Sequence, residues 1–159
     1  MKKLLIIGGV VIALFVLIIV LTNLSNKTKL KDNPYGSKEL EQSTIDLLGN
    51  KNYSNIVLPE DLMEKIKSGE PVTAYFFSPD CPYCMKMTPM LMPIAKEKGI
   101  HVYQYNMLEY KQEAAPYGIT GWPALIQYED GKEVGRMVGL PPEKPEEAIK
   151  EFFKEYTGK

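Results

Sequence analysis

Leu4 to Leu21 is an unbroken run of 18 uncharged, almost wholly aliphatic residues, LLIIGGVVIALFVLIIVL, and it divides the chain before anything else is considered. As a helix it spans about 27 Å, close to the hydrocarbon thickness of a bilayer. It is apolar on every side, whereas a helix on a soluble domain keeps a polar face. Lys2 and Lys3 stand directly before it, like the basic leader of an export signal. A cleaved signal has a shorter apolar stretch and a small-x-small exit, and Leu21-Thr22-Asn23-Leu24-Ser25 offers none. No Cys near its end provides for lipid attachment. Residues 1–3 therefore read as a basic tail and residues 4–21 as a single uncleaved transmembrane anchor, with a cleaved signal as the alternative. Lys27, Lys29 and Lys31 compete with Lys2 and Lys3 in the positive-inside count. The very short tail favours an N-in anchor in the cell membrane, with the rest of the chain outside the cytoplasm.

Beyond the anchor the charge changes sign. The 159 residues hold 19 basic and 20 acidic side chains, but residues 1–30 carry four lysines and no acid. The body is therefore acidic and repels phosphate backbones, which argues against nucleic acid as a partner. Two Cys cannot build a disulfide scaffold and one His cannot complete a His-based metal cage. With 45% apolar residues the chain can form a core without staples. Thr22 to Asn55, with six Asn and four Ser, reads as a tether. Within it Leu40, Thr44, Leu47 and Leu48 recur at helical spacing and end at Gly49-Asn50, a short amphipathic helix that sequence leaves either on the domain or on the membrane surface.

The domain proper is expected over 56–159. Pro59-Glu60-Asp61 opens a helix with Leu62, Met63 and Ile66 on one face. Val72 to Phe77 is apolar on both faces, as a central strand covered by helices should be. Cys84, Met87, Leu91, Ile94 and Ala95 mark the inner face of a long helix ending at Gly99. Ile100 to Asn106 is a second strand, and Glu109 to Tyr117 a short helix closed by Gly118. Ala124 to Tyr128 and Glu133 to Val138 flank Asp130-Gly131, a hairpin signal. Ala148, Ile149, Phe152, Phe153 and Tyr156 line a last helix. The order is α-β-α-β-α-β-β-α, an α/β fold with a central mixed sheet flanked by helices.

The chemistry concentrates at Cys81-Pro82-Tyr83-Cys84, between a strand and a helix. Cys81 falls at the helix N-terminus, with Pro82 at the first helical position, where its missing N–H costs nothing. Unpaired N–H groups and the positive end of the helix dipole favour a thiolate there. Cys84 lies on the same face one turn inward, at a Cα separation of about 5.5 Å that a disulfide tolerates. One sulfur is exposed and activated, the other shielded and placed to resolve a mixed disulfide, which suits thiol–disulfide exchange. A zinc half-site lacks a second pair, and a structural disulfide closing so small a loop restrains the unfolded chain little. No metal and no cofactor is expected beyond a redox-active Cys81–Cys84 disulfide.

With these marks the sequence resembles the thioredoxin family over residues 56–157: Tyr75-Phe76-Phe77-Ser78-Pro79-Asp80 before the motif, Pro89 in the following helix, Gly118-Ile119-Thr120-Gly121-Trp122-Pro123, and the hairpin leading to Val138-Gly139. The motif alone is shared with glutaredoxins, but the long hairpin and final helix after Pro123 are similar to thioredoxin. The resemblance implies a cis Trp122–Pro123 bond in a turn against the motif, where the backbone before the proline pairs with substrate and the proline keeps metals from the thiols. Pro82, Tyr83, Trp122 and Pro123 are then the substrate-contacting candidates. Two departures stand out. Tyr75 occupies the place of the family's buried Asp, with Gln104 where a partner Lys is expected, and Asp80 replaces a Trp before the motif. Asp80 and Tyr75 are thus candidates for tuning the thiols, and a carboxylate beside Cys81 opposes its ionisation. The Pro-Tyr pair suggests a potential of roughly −200 to −230 mV, by analogy with glutaredoxins.

Met85, Met87, Met90 and Met92 read as adaptable packing and an apolar rim around Cys81, with a copper site as the sharper alternative. His101 reads as a satisfied or exposed histidine. The function expected is a membrane-anchored thiol–disulfide oxidoreductase acting on cysteine-containing proteins outside the cytoplasm, recycled by a redox partner that can itself be membrane-bound. The direction of electron flow stays open. A non-catalytic tethered module binding exported polypeptides or a transporter is the alternative from another class.

Overall fold

The computed structural model describes residues 2–37 and 39–159, with side chains from Ile6 onward. Met1 of the basic tail and Lys38 of the tether lie outside the described residues, as do the side chains of residues 2–5. The chain divides into two compact units, Met1–Lys38 and Glu39–Lys159.

The first unit is dominated by one helix, α1 (Lys2–Leu30), 29 residues and about 44 Å long. The apolar run lies inside it, but the helix continues through residues 22–30, expected as tether. No Gly or Pro interrupts that stretch, and the Thr28 hydroxyl donates to the Leu24 carbonyl at 3.1 Å. Asn33 Nδ2 then donates to the Leu30 carbonyl at 2.8 Å, satisfying a helix-end acceptor. By length and composition this helix can cross a membrane.

The second unit begins at Glu39, not near Ile56. Helix α2 (Gln42–Leu47) buries Thr44 and Ile45, and Leu47 packs on the core, so this helix belongs to the domain. Asn106 Nδ2 donates to Thr44 Oγ1 at 3.1 Å. After a 3-10 turn at Lys51–Tyr53, residues 55–57 run along the sheet edge. Fully buried Gln104 holds them: its main chain pairs with Asn55 and Val57, and its side chain bonds Asn52 and Asn55. The position where a family lysine was expected is therefore a zip for the segment before the domain's first long helix.

Helix α3 (Pro59–Lys67), strand β1 (Val72–Phe77), helix α4 (Pro82–Glu97), strand β2 (Val102–Asn106), strands β3 (Ala124–Glu129) and β4 (Lys132–Val138), and helix α5 (Pro145–Thr157) follow. The sheet order is β2-β1-β3-β4, with β1 parallel to β2 and antiparallel to β3, and β3 antiparallel to β4. Strand β1 is buried along its whole length. Because its side chains alternate, Tyr75 and Phe77 join α4 and α5 in one core while Ala74 and Phe76 join α3 in another. Asp130 (φ 50°) and Gly131 (φ 75°) make the two-residue hairpin turn, which needs positive φ at both positions.

The helix expected over Glu109–Tyr117 is a run of turns ending in a 3-10 turn at Ala115–Tyr117. Pro116 has no N–H for an α-helical bond. The Tyr105 hydroxyl takes the Tyr110 carbonyl at 2.9 Å, and Asn106 Oδ1 takes the Leu108 N–H at 3.0 Å. The Tyr110 carbonyl, which a helix would pair with the Ala114 N–H, thus accepts a side-chain hydroxyl.

Candidate functional site

Strand β1 ends at Phe77, and the buried Ser78-Pro79 pair turns the chain so that the Cys81 N–H reaches the Ser78 carbonyl at 3.1 Å. Cys81 caps α4 with extended backbone (φ −93°, ψ 113°), and Pro82 occupies the first turn. The Cys84 N–H donates to Cys81 Sγ at 3.2 Å. The cap acceptor, usually an oxygen, is here the motif's first sulfur.

The two sulfurs differ sharply in environment. Cys81 is half-buried and Cys84 fully buried; both are free thiols in the structure. Burial pushes the Cys84 thiol well above its ordinary value, its hydrogen bond with Cys81 adds to that, and the Ser78 backbone opposes it. Cys84 is therefore a protonated thiol at neutral pH.

The loop before β3 closes over Cys81. The Trp122–Pro123 peptide bond is cis, and Cys81 Sγ lies 3.6 Å from the Trp122 carbonyl as donor. Pro123 is buried, and its carbonyl accepts the Gly139 N–H at 2.7 Å, fixing the loop to the end of β4. Pro82 is exposed and Tyr83 is 61% exposed on the first turn of α4. The fold thus brings Pro82, Tyr83 and the Trp122 carbonyl beside Cys81, while the neighbouring Pro123 is buried. The Lys111 amine lies 5.7 Å over the Trp122 ring, and a cavity of about 230 Å³ opens between Trp122, Ile119 and Met107.

The two tuning candidates occupy unlike places. Asp80 is exposed, with its N–H 3.3 Å from Ser78 Oγ. Tyr75 is fully buried, stacked on Phe77 at 5.9 Å, with its hydroxyl 3.1 Å from Thr88 Oγ1. Thr88 in turn donates to the Cys84 carbonyl at 2.8 Å. Sequence reasoning passed over Thr88, although a hydroxyl four residues after Cys84 on an apolar helix face was its available signal. Tyr53, counted with the tether, also enters the site: it packs on Phe77 at 5.4 Å and its hydroxyl lies 3.4 Å from Met85 Sδ. Nothing local in the sequence announces that contact.

Met87 is fully buried, and Met85, Met90 and Met92 pack on the same core. Among the described residues no group of three His, Cys, Asp or Glu is arranged to hold a metal ion. His101 precedes β2 at the end opposite Asn106, with its ring 4.4 Å from Tyr103. Partial burial and nearby Lys65 lower its pKa.

Residues 58–154 match the family model described as a thioredoxin-like domain. A thioredoxin of Chlamydia caviae is 36% identical over 66 residues, covering 41% of this chain and 65% of that protein. A thioredoxin of Bacillus subtilis is 30% identical over 87 residues, covering 54% and 81%. The solved structure of a Halobacterium salinarum thioredoxin mutant superposes with a TM-score of 0.53 at 28% identity, covering 62% of this chain and 84% of that one.

Proposed function

This chain belongs to the thioredoxin-like family, and we propose that it exchanges disulfides with cysteine-containing proteins outside the cytoplasm, held at the membrane by residues 4–21. Its thioredoxin relatives support thiol–disulfide oxidoreduction at the general level. The observation that supports the finer reading is the asymmetry of the pair: a half-buried Cys81 at a helix N-terminus with an N–H aimed at its sulfur, and a fully buried Cys84 one turn inward.

In the reducing direction Cys81 attacks a substrate disulfide. A Cys81–substrate bond forms, the substrate S–S bond breaks, and one substrate thiolate leaves. Cys84 then attacks Cys81; the Cys81–Cys84 bond forms and the second substrate sulfur is released, so two electrons pass to the substrate. Oxidation of a substrate dithiol is the same sequence reversed. The developing negative charge on Cys81 meets the Cys84 N–H and the helix end, while the Trp122–Pro123 loop and Tyr83 offer contact surface for an extended substrate chain. The Cys81–Cys84 disulfide is the only redox group the reading requires. A second dithiol protein, at the membrane or outside it, recycles the pair.

The test is trapping by full-length Cys84→Ser in membranes. Substrate proteins should accumulate as adducts that a reducing agent releases, and Cys81→Ser/Cys84→Ser should abolish them. If no adduct forms through Cys81, the exchange reading fails and a binding role is left. Equilibration against glutathione assigns direction: a potential near about −270 mV makes the protein a reductant, one above about −180 mV an oxidant.

A further inference from the structure

Thr88 is fully buried on the α4 turn that follows Cys84. Its single hydroxyl hydrogen is committed to the Cys84 carbonyl at 2.8 Å. In the 3.1 Å contact with Tyr75 the tyrosine is therefore the donor. The two bonds run in one direction, from Tyr75 O–H to Thr88 and from Thr88 O–H to the Cys84 carbonyl. They fasten the turn of helix that carries the second sulfur to the central strand.

The titratable groups facing Cys84 are Cys81 from its own helix start, Tyr75 from β1 and Tyr53 from the 3-10 turn. Burial raises both tyrosines, so their hydroxyls are neutral where the protein works. Among the described residues no Asp, Glu, Lys, Arg or His is buried. The interior beneath the motif holds neither a carboxylate to take a proton nor a cation to steady a thiolate.

We propose that Tyr75, acting through Thr88, is a positioning residue for Cys84, and that the protein resolves its mixed disulfide without a buried base, Cys84 giving its proton to solvent hydroxide. This rests on the reading that Cys81 attacks and Cys84 resolves. In the step, hydroxide takes the Cys84 proton and becomes water. The Cys84 thiolate attacks Cys81 sulfur, the Cys81–Cys84 bond forms, and the bond from Cys81 to the substrate sulfur breaks with release of a thiolate. Below the thiol's pKa the closure rate follows the thiolate fraction and rises about tenfold per pH unit.

The experiment uses the reduced full chain in detergent with one equivalent of dithiobis-nitrobenzoate. The first coloured thiolate is released when Cys81 attacks, the second when Cys84 closes the ring. In the wild type the second phase should rise steeply from about pH 6 to about pH 9, following the thiolate fraction. Tyr75→Asp, which supplies a base, should accelerate the second phase at neutral pH on the order of 10²-fold and flatten its profile. Tyr75→Phe and Thr88→Val should slow the second phase severalfold at every pH with the slope and the first phase kept, and Thr88→Ser should restore it. The threonine pair decides the matter if the Asp variant does not fold. A pH-independent second phase in the wild type, or wild-type closure in both Tyr75→Phe and Thr88→Val, overturns the proposal. Absence of the first phase overturns the exchange reading instead.

Discussion

Helices α1 and α4 are both rich in long apolar side chains, yet they use them in opposite ways. From Ile6 to Leu24 the large apolar residues of α1 are 44% to 65% exposed on every side of the helix. In α4 the sulfurs and aliphatics of Cys84, Met87, Leu91, Ile94 and Ala95 are buried on one face, while Pro82, Tyr83, Lys86, Pro89, Pro93 and Lys96 face outward. The distribution of the apolar residues, all round α1 and on one face of α4, separates a segment suited to lipid from one suited to a sheet. The same distribution places the reactive end of α4, since the face that buries Cys84 against Tyr75 and Phe77 is continuous with the face that buries Leu91.

Matched substitutions test this contrast. The largest effect is expected from Leu91→Ala, which empties a fully buried position and should lower unfolding free energy by about 2–5 kcal/mol. Leu17→Ala in α1 should leave the domain's unfolding free energy within about 0.5 kcal/mol of wild type. Equal losses in a titration of both variants would erase the distinction. A second pair concerns glycines. A Cβ at Gly135 on β4 would meet the Tyr156 ring at 2.5 Å, whereas one at Gly8 meets nothing within 4 Å. Gly135→Ala should cost about 1–3 kcal/mol through overpacking, read as a drop in the domain's melting temperature. Gly8→Ala should leave that temperature in place and favour its helix by up to about 1 kcal/mol.

The smallest effect is a pH response. The folded Cys84 thiol is held above its unfolded value by burial. Below the unfolded thiol's pKa, about 8.5, both states carry the proton and the contribution is complete. Above it the unfolded chain releases the proton while the folded chain keeps it, so the reduced protein loses stability as pH rises further. Chemical denaturation at a series of alkaline pH values should show a shallower decline for Cys84→Ser.

Much of the fold was legible because local chemistry announces it. The fully buried β1, the hairpin turn at Asp130-Gly131 and the inner face of α4 each follow from a periodicity or a residue with special backbone needs. The site was legible in the same way at Cys81 and Cys84, which a strand end and a helix start bring together. The stretch from Glu109 to Tyr117 was not, because the hydroxyl of Tyr105 claims the Tyr110 carbonyl and Pro116 has no N–H to give. Nor was the packing of residues 39–55 on the domain, since Thr44 and Asn55 are held by Asn106 and Gln104, about fifty or sixty residues away in sequence but adjacent in the fold.

By itself the chain of residues determined an apolar N-terminal helix, an α/β order, and a cysteine pair at a strand–helix junction. All three depend on interactions within a few residues, which spacing reports directly. Only the tertiary structure decided what surrounds the second sulfur: Tyr75 from the sheet, Thr88 from the helix, Tyr53 from a segment that looked like tether. Those neighbours arrive through strand pairing and helix packing over long sequence separations, and the free energy of an ion or a proton in a dry interior is set by whichever groups arrive.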